Sequence, residues 1–149
     1  MQKCTLALGC FWKPEINFKN KPGIIATEVG YAGGNKPIVT YEEVCTGKTG
    51  HAEVVRLTFD ENLISFKKII DLFFKMHDPT QKDMQYPDIG TQYRSEIFYE
   101  NDEQKKEAEE VLQYNNPKFG GNIQTNISKI KNYCKAEEYH QNYIEKKNQ

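Results

Sequence analysis

Strand-like runs alternate with helical patterns along this chain, and the first change takes only two residues. Lys3–Leu8 is an apolar extended run. Phe11–Asn20 is a helical pattern, with Pro14 in the first turn, where a missing N–H is tolerated. Ile24–Val29 is β-branched and apolar, and leads into Gly30-Tyr31-Ala32-Gly33-Gly34. That stretch opens a long loop through Thr49, and loops of this length in compact domains are usually functional. Glu53–Phe59 sets Val55, Leu57 and Phe59 against Val54, Arg56 and Thr58, which predicts a strand with one polar or solvated face. Asp60 stands as an N-cap before Leu63, Ile64, Phe66, Ile69, Ile70, Phe73 and Phe74, which follow a helical period. Asp78-Pro79 ends that helix, because a proline disfavours helix in the residue before it.

Thr80–Gln92 is polar, carries Pro87 and Gly90, and reads as a second long loop. Arg94–Tyr99 is a strand. Asp102–Gln113 is a charged amphipathic helix with Ala108, Val111 and Leu112 inward, broken at Asn115-Asn116-Pro117. Asn122–Ile130 alternates and reads as the last strand. Ala136–Lys146 reads as a polar terminal helix docked through Tyr139, Tyr143 and Ile144. Few strands, helices between them and no dinucleotide fingerprint predict an α+β fold, a two-layer α/β sandwich with a mixed or antiparallel sheet. The 149 residues suit a single domain, 1–149. No Lys-Ser/Thr follows Gly30–Gly34 and no helix opens on it, so it is not a phosphate cradle.

Composition narrows the function. A net charge of −1 leaves no footprint for nucleic acid or an anionic membrane. No apolar run approaches a bilayer span, and Met1-Gln2-Lys3-Cys4 enters a strand at once, so the cytoplasm is the expected compartment. Cysteines 4, 10, 45 and 134 have no metal-site spacing, and His51, His77 and His140 are far apart, so no metal is expected. Four free thiols fit a reducing compartment.

Of these thiols, Cys10 stands out. It lies in Gly9-Cys10-Phe11-Trp12, at a strand-to-helix turn beside the only Trp. The first N–H groups of a helix lack partners and carry partial positive charge. A thiol there is expected to ionise more readily than a free one, and the thiolate is the nucleophile. Phe11 and Trp12 read as core anchors, or as the wall of an apolar pocket. Glu53 and His51 at a strand entry, Tyr41 in the first long loop, and Asp88 and Tyr93 in the second are candidates that are each weak alone. Tyrosines in loops are often packing residues, and Asp88 fits a turn.

Together these pieces form a pattern. Gly9-Cys10-Phe11-Trp12, Val29–Gly34, Tyr41–Glu53 with Gly50-His51-Ala52-Glu53, His77-Asp78-Pro79-Thr80, Asp88 with Gly90–Ser95, and Ala136–Gln141 occur in the order and spacing of one family. The chain resembles the class A methionine sulfoxide reductases over nearly its whole length. The resemblance implies a ferredoxin-like plait with long active-site loops, and thiol-dependent reduction of the S epimer of methionine sulfoxide, free or in proteins. Cys10 matches the nucleophile that becomes a sulfenic acid. Glu53 matches the acid that serves the sulfoxide oxygen. Tyr41 and Tyr93 match phenols that hold that oxygen, Asp88 a polar organiser, and Phe11 and Trp12 the pocket for the S-methyl group. The chemistry is coherent, because a buried carboxyl stays protonated and phenols donate without ionising.

The chain also departs from the family pattern. Lys13 follows Trp12 where many members have Gly, and would place a positive charge near the thiol. Asp83-Met84-Gln85-Tyr86-Pro87 stands where Arg-Gln-Gly is frequent. No cysteine follows Cys134, whereas many members carry recycling cysteines in a glycine-rich tail. Cys4 is about 20 Å from Cys10 along an extended strand, too far for a disulfide. Cys45 sits where the family commonly has a non-catalytic cysteine. The expected reductant is therefore external, glutaredoxin or a small thiol, with thioredoxin a poorer one and Cys134 the internal candidate for resolving. No prosthetic cofactor is expected, and a monomer suffices. Two other readings stay open: another cysteine-based peroxidase or reductase, and a non-enzymatic methionine-binding redox module.

Overall fold

Gln2–Leu8 (β1), Ile24–Ala32 (β2), Ala52–Phe59 (β3), Met84–Gln85 (β4), Asp88–Ile89 (β5), Ser95–Tyr99 (β6), Asn126–Lys129 (β7) and Cys134–Lys135 (β8) are the strands of the computed structural model, which describes residues 1–148. Six of them form one sheet in the order β7-β6-β1-β3-β2-β8, and β4 pairs with β5 in a small hairpin. Only β6–β7 is parallel. The helices are Trp12–Lys19 (α1), Tyr41–Cys45 (α2), Phe66–Met76 (α3), Asp102–Asn115 (α4) and Tyr143–Lys147 (α5). The run β1-α1-β2-β3-α3-β6 with β6-β1-β3-β2 side by side is the ferredoxin-like plait, with β7 and β8 added at the two edges.

The main core lies on the helix-covered face. Cys4, Leu6 and Leu8 of β1 and Val55, Leu57 and Phe59 of β3 meet Phe66, Ile69, Ile70, Phe73 and Phe74 of α3. These α3 residues are the periodic set that the sequence marks. The opposite face is not solvated throughout. Ala7, Ala32, Ala52, Val54 and Phe98 form a second, smaller cluster there. The site end of β3 is thus buried on both faces, which corrects the expectation of a polar face along Glu53–Phe59.

Several boundaries differ for local reasons. Asp60 does not cap α3; its carboxylate accepts the Asn62 N–H, closing a separate turn. Ser65 caps the helix, with its hydroxyl accepting the Lys68 N–H at 3.0 Å. β2 runs three residues further than expected, to Ala32, because β3 pairs with it along its full length. The first long loop holds α2, closed by a capping box in which Thr40 and Glu43 satisfy each other's N–H groups. The terminal segment is not one helix. It contributes β8, a short 3-10 turn at Glu138–His140, and α5 only after Asn142 at φ 54°. Tyr139 is 55% exposed, with its ring against only the neighbouring His140 among the described aromatic contacts, whereas His140 and Gln141 are buried. The Gln141 amide accepts the Val29 N–H and donates to the Val29 carbonyl, so one side chain completes the edge of β2.

Gly34 shows what the glycine-rich stretch is for. A Cβ there would lie 2.0 Å from His51 Nδ1 and 2.4 Å from the Thr49 carbonyl. The residue allows two loops to touch directly behind β3. Gly34→Ala should lower unfolding stability by about 1–3 kcal/mol, as overpacking does. Urea denaturation measures this, and an unchanged midpoint would show that the loops separate freely.

Candidate active site

The turn between β1 and α1 presents Cys10 at the end of the central strands. Gly9 adopts φ 94°, and Phe11 caps α1. Beside this turn, β3 delivers Glu53 on its core-facing side, 2% exposed, and its Oε1 accepts the Phe11 backbone N–H at 3.3 Å. One hydrogen bond therefore holds the strand and the thiol-bearing turn together. Burial raises the Glu53 pKa from 4.5 to about 8. The Phe11 N–H works against this shift, and the charge of Asp88 adds to it.

The Cys10 thiol is half-buried, and its pKa is pushed up to about 11. Burial is the main cause, and the Glu53 and Asp88 charges add to it. The Trp12 N–H at the helix start works in the opposite direction. The resting thiol is thus not the readily ionised group that its place in the sequence predicts: removal from water outweighs one oriented amide. Lys13 does not reverse this, since its side chain is exposed and the thiol is set by burial, Trp12, Glu53 and Asp88.

Tyr41 and Tyr93 come from different elements and meet near Glu53. Burial raises both phenols, Tyr93 to about 12 and Tyr41 further. Tyr93 also feels the charges of Glu53, Cys45, Asp88 and Cys10. The Tyr41 hydroxyl lies against the Cys45 thiol, four residues on in α2. Both phenols are protonated donors at neutral pH.

The apolar wall is held from the C-terminal segment. Phe11 is buried, with its ring centroid 5.7 Å from that of Tyr31. Trp12 stacks on Tyr143 at 3.8 Å, and its indole N–H donates to His140 Nδ1 at 3.0 Å. His140 is buried between Phe11, at 5.1 Å, and Tyr41, at 4.7 Å. Glu137 accepts the Tyr31 hydroxyl and the Tyr41 backbone N–H, each at 2.8 Å. Tyr143 docks as the sequence reading expects, here on Trp12; Glu137 and His140 have no individual role in that reading, although both lie in a motif singled out there.

Cys10, Phe11, Trp12, Tyr41, Glu53, Asp88 and Tyr93 thus gather at one place, and Cys134 does not. It lies on β8, three places from β1 in the sheet, or about 14 Å at ordinary strand spacing. Its thiol faces the Val39 carbonyl at 3.6 Å. Cys4 is fully buried in the core, and its thiol is held strongly neutral by burial. His51 is buried behind the site with its ring nitrogens unpaired, and burial lowers its pKa. Among the described residues no group of three or more His, Cys, Asp or Glu side chains is placed to hold a metal ion, and no helix is long and apolar enough to cross a membrane.

Comparison with known proteins decides the family. The family model described as peptide methionine sulfoxide reductase matches residues 2–149. This chain belongs to that family. The peptide methionine sulfoxide reductase MsrA of Pelagibacter ubique is 57% identical over 147 residues, covering 99% of this chain and 100% of that one. The reduced form of Mxr1 from Saccharomyces cerevisiae superposes with a TM-score of 0.95 at 40% identity, covering 99% of this chain and 86% of that one. Mxr1 in complex with Trx2 matches with a TM-score of 0.69 at 29% identity, over 95% of this chain and 84% of that one. The family assignment and the ferredoxin-like fold expected from the sequence agree with these matches, and the chain is an oxidoreductase.

The Glu53 shift has a pH signature. Its folded-state pKa is above the unfolded value, so its contribution to stability is complete below about 4.5 and is lost as pH rises through about 8. Glu53→Gln cannot ionise. Relative to wild type it should gain stability across that window and show no such gain below it. Chemical denaturation at a series of pH values measures this; a difference independent of pH would contradict a neutral, buried Glu53.

Proposed function

We propose that the chain reduces the S epimer of methionine sulfoxide, free or in proteins, through a sulfenic acid on Cys10. The observation that carries this reading is a buried, neutral carboxyl beside the thiol: Glu53, pushed up to about 8 and tied to the Phe11 N–H. The S-methyl group enters the slot of Phe11 and Trp12. The sulfoxide oxygen takes hydrogen bonds from Tyr41 and Tyr93 and the proton of Glu53, while Asp88 organises the polar rim. Protonation of the oxygen makes the sulfur electrophilic. While Glu53 is protonated, one of the two carboxylate charges that hold the thiol neutral is absent, so the protonated acid and the thiolate are compatible before the proton is given up.

The step balances. Cys10 Sγ attacks the sulfoxide sulfur as Glu53 protonates the oxygen; the S–O bond to methionine and the transient S–S bond break, an S–O bond forms to Cys10 so that the hydroxyl remains there, and the thiol proton restores Glu53. Two electrons pass from the Cys10 sulfur to the methionine sulfur. This ladder of cysteine and methionine oxidation, with its repair by this enzyme class, is a general one. We assign regeneration to an external thiol: Cys4 is sealed in the core, Cys134 stands across the sheet, and the Cys45 thiol on α2 is engaged by the Tyr41 hydroxyl. The complex of yeast Mxr1 with Trx2 supports thioredoxin as such a reductant, against the low rank that the sequence alone gives it. A small thiol can attack a sulfenic acid directly.

Cys10→Ser should abolish oxygen transfer, while Cys4→Ser and Cys45→Ser retain it. Turnover of the R epimer in place of S would contradict the reading. Glu53→Gln should slow single-turnover formation of the sulfenic acid by about two to four orders of magnitude. Tyr41→Phe or Tyr93→Phe should cost less, since the other phenol still donates; equal rates in Glu53→Gln and wild type would remove Glu53 from the mechanism. Without reductant, one equivalent of substrate should consume one free thiol. Loss of two, with a Cys10–Cys134 link mapped in peptides, would establish internal resolution.

A further inference from the structure

A cavity of about 210 Å³ opens on Cys10 along a flank that the oxygen-binding groups do not occupy. Lys13, Asn17, Gln85, Tyr86 and Asp88 stand in its wall, and it shares only Cys10 and Asp88 with the site described above. Trp12 is turned to His140 and Tyr143, whereas Lys13 and Asn17, four residues apart, form a stripe on an adjacent face. Lys13 is exposed and makes no ion pair among the described residues. Gln85 is already committed, with its amide paired to the Asp78 backbone at 2.9 Å, so it fixes the wall and leaves the charged groups free to bind.

We infer that this cavity is the docking subsite of the reductant, a small thiol carrying a carboxylate that Lys13 holds. The inference rests on the proposed sulfenic acid. Displacement at sulfur is in line: the incoming sulfur approaches opposite the departing oxygen. That oxygen stands among Tyr41, Tyr93 and Glu53, so the attacking thiol must come from a side free of them. The cavity is such a side. At about 210 Å³ it has room for a small thiol beside Cys10. The only cation in its wall is Lys13, at the solvent end, and Asp88 repels a second negative charge deeper in.

The chemistry closes on two thiols. R–SH attacks Cys10–S–OH; the S–S bond forms, the S–O bond breaks, and the hydroxyl leaves with the thiol proton as water. A second R–SH attacks the sulfur of R, releasing R–S–S–R and returning Cys10–SH. The two electrons come from the two thiols.

Ping-pong kinetics separate the half-reactions, so kcat/KM for the thiol and for the sulfoxide can be read independently. The reductants are N-acetylcysteine and its uncharged amide. Lys13→Glu should lower kcat/KM for N-acetylcysteine about tenfold, since it removes one charge contact and adds a repulsion. It should change kcat/KM for the amide by less than about twofold, and leave kcat/KM for methionine sulfoxide as in wild type. Lys13→Met, which keeps the aliphatic stem, should show the same selectivity at smaller amplitude. Equal loss with acid and amide, no loss with either, or a loss confined to the sulfoxide would overturn the subsite. If wild type reduces one equivalent of sulfoxide without reductant but neither thiol supports further turnover, the subsite falls alone; if it does not reduce even that equivalent, the functional reading falls, and the subsite with it.

Discussion

The hydrogen bond from the Phe11 backbone N–H to Glu53 is the contact on which the rest of the site depends. It joins a central strand to the turn that carries Cys10, and does so inside a region buried on both faces of the sheet. A charged carboxylate there would accept one amide and face the charge of Asp88 with little water to screen it. The fold therefore keeps Glu53 neutral. A neutral carboxyl is a proton donor, and it stands beside a thiol that the same burial keeps from ionising. The two groups are poised by one cause, exclusion of water.

The parts of the fold that were legible in sequence are those written in apolar spacing. The α3 face, the β1 run and the turn at Gly9-Cys10 follow from local pattern, and the structure keeps them. The C-terminal segment was not legible, because it is held by polar side chains whose partners are distant. His140 meets Trp12, Gln141 meets Val29, and Glu137 meets Tyr31 and Tyr41. Apolar periodicity carries no record of such bonds, and the stretch reads as one polar helix docked only through Tyr139, Tyr143 and Ile144. The capping box at Thr40–Glu43 was written in the sequence, yet lay inside what read as a loop.

The thiol shows the same division between local and tertiary information. Its place before a helix is visible in the sequence, and the Trp12 N–H does favour the thiolate. The charges of Glu53 and Asp88 and the loss of water arise only once distant segments close over the turn. The surroundings of Cys10 are also asymmetric. Donors and aromatic rings crowd one flank, and a polar, partly open cavity with a lone lysine borders the other.

Direct observation of the Glu53 proton tests the account at its centre. Infrared difference spectroscopy between wild type and Glu53→Gln, with isotope-shifted water as control, isolates the C=O stretch of a single protonated carboxyl. The account predicts that this band is present at neutral pH and disappears with an apparent pKa of about 8. A Glu53 that gives only carboxylate bands at neutral pH, and titrates near the ordinary 4.5, would contradict it.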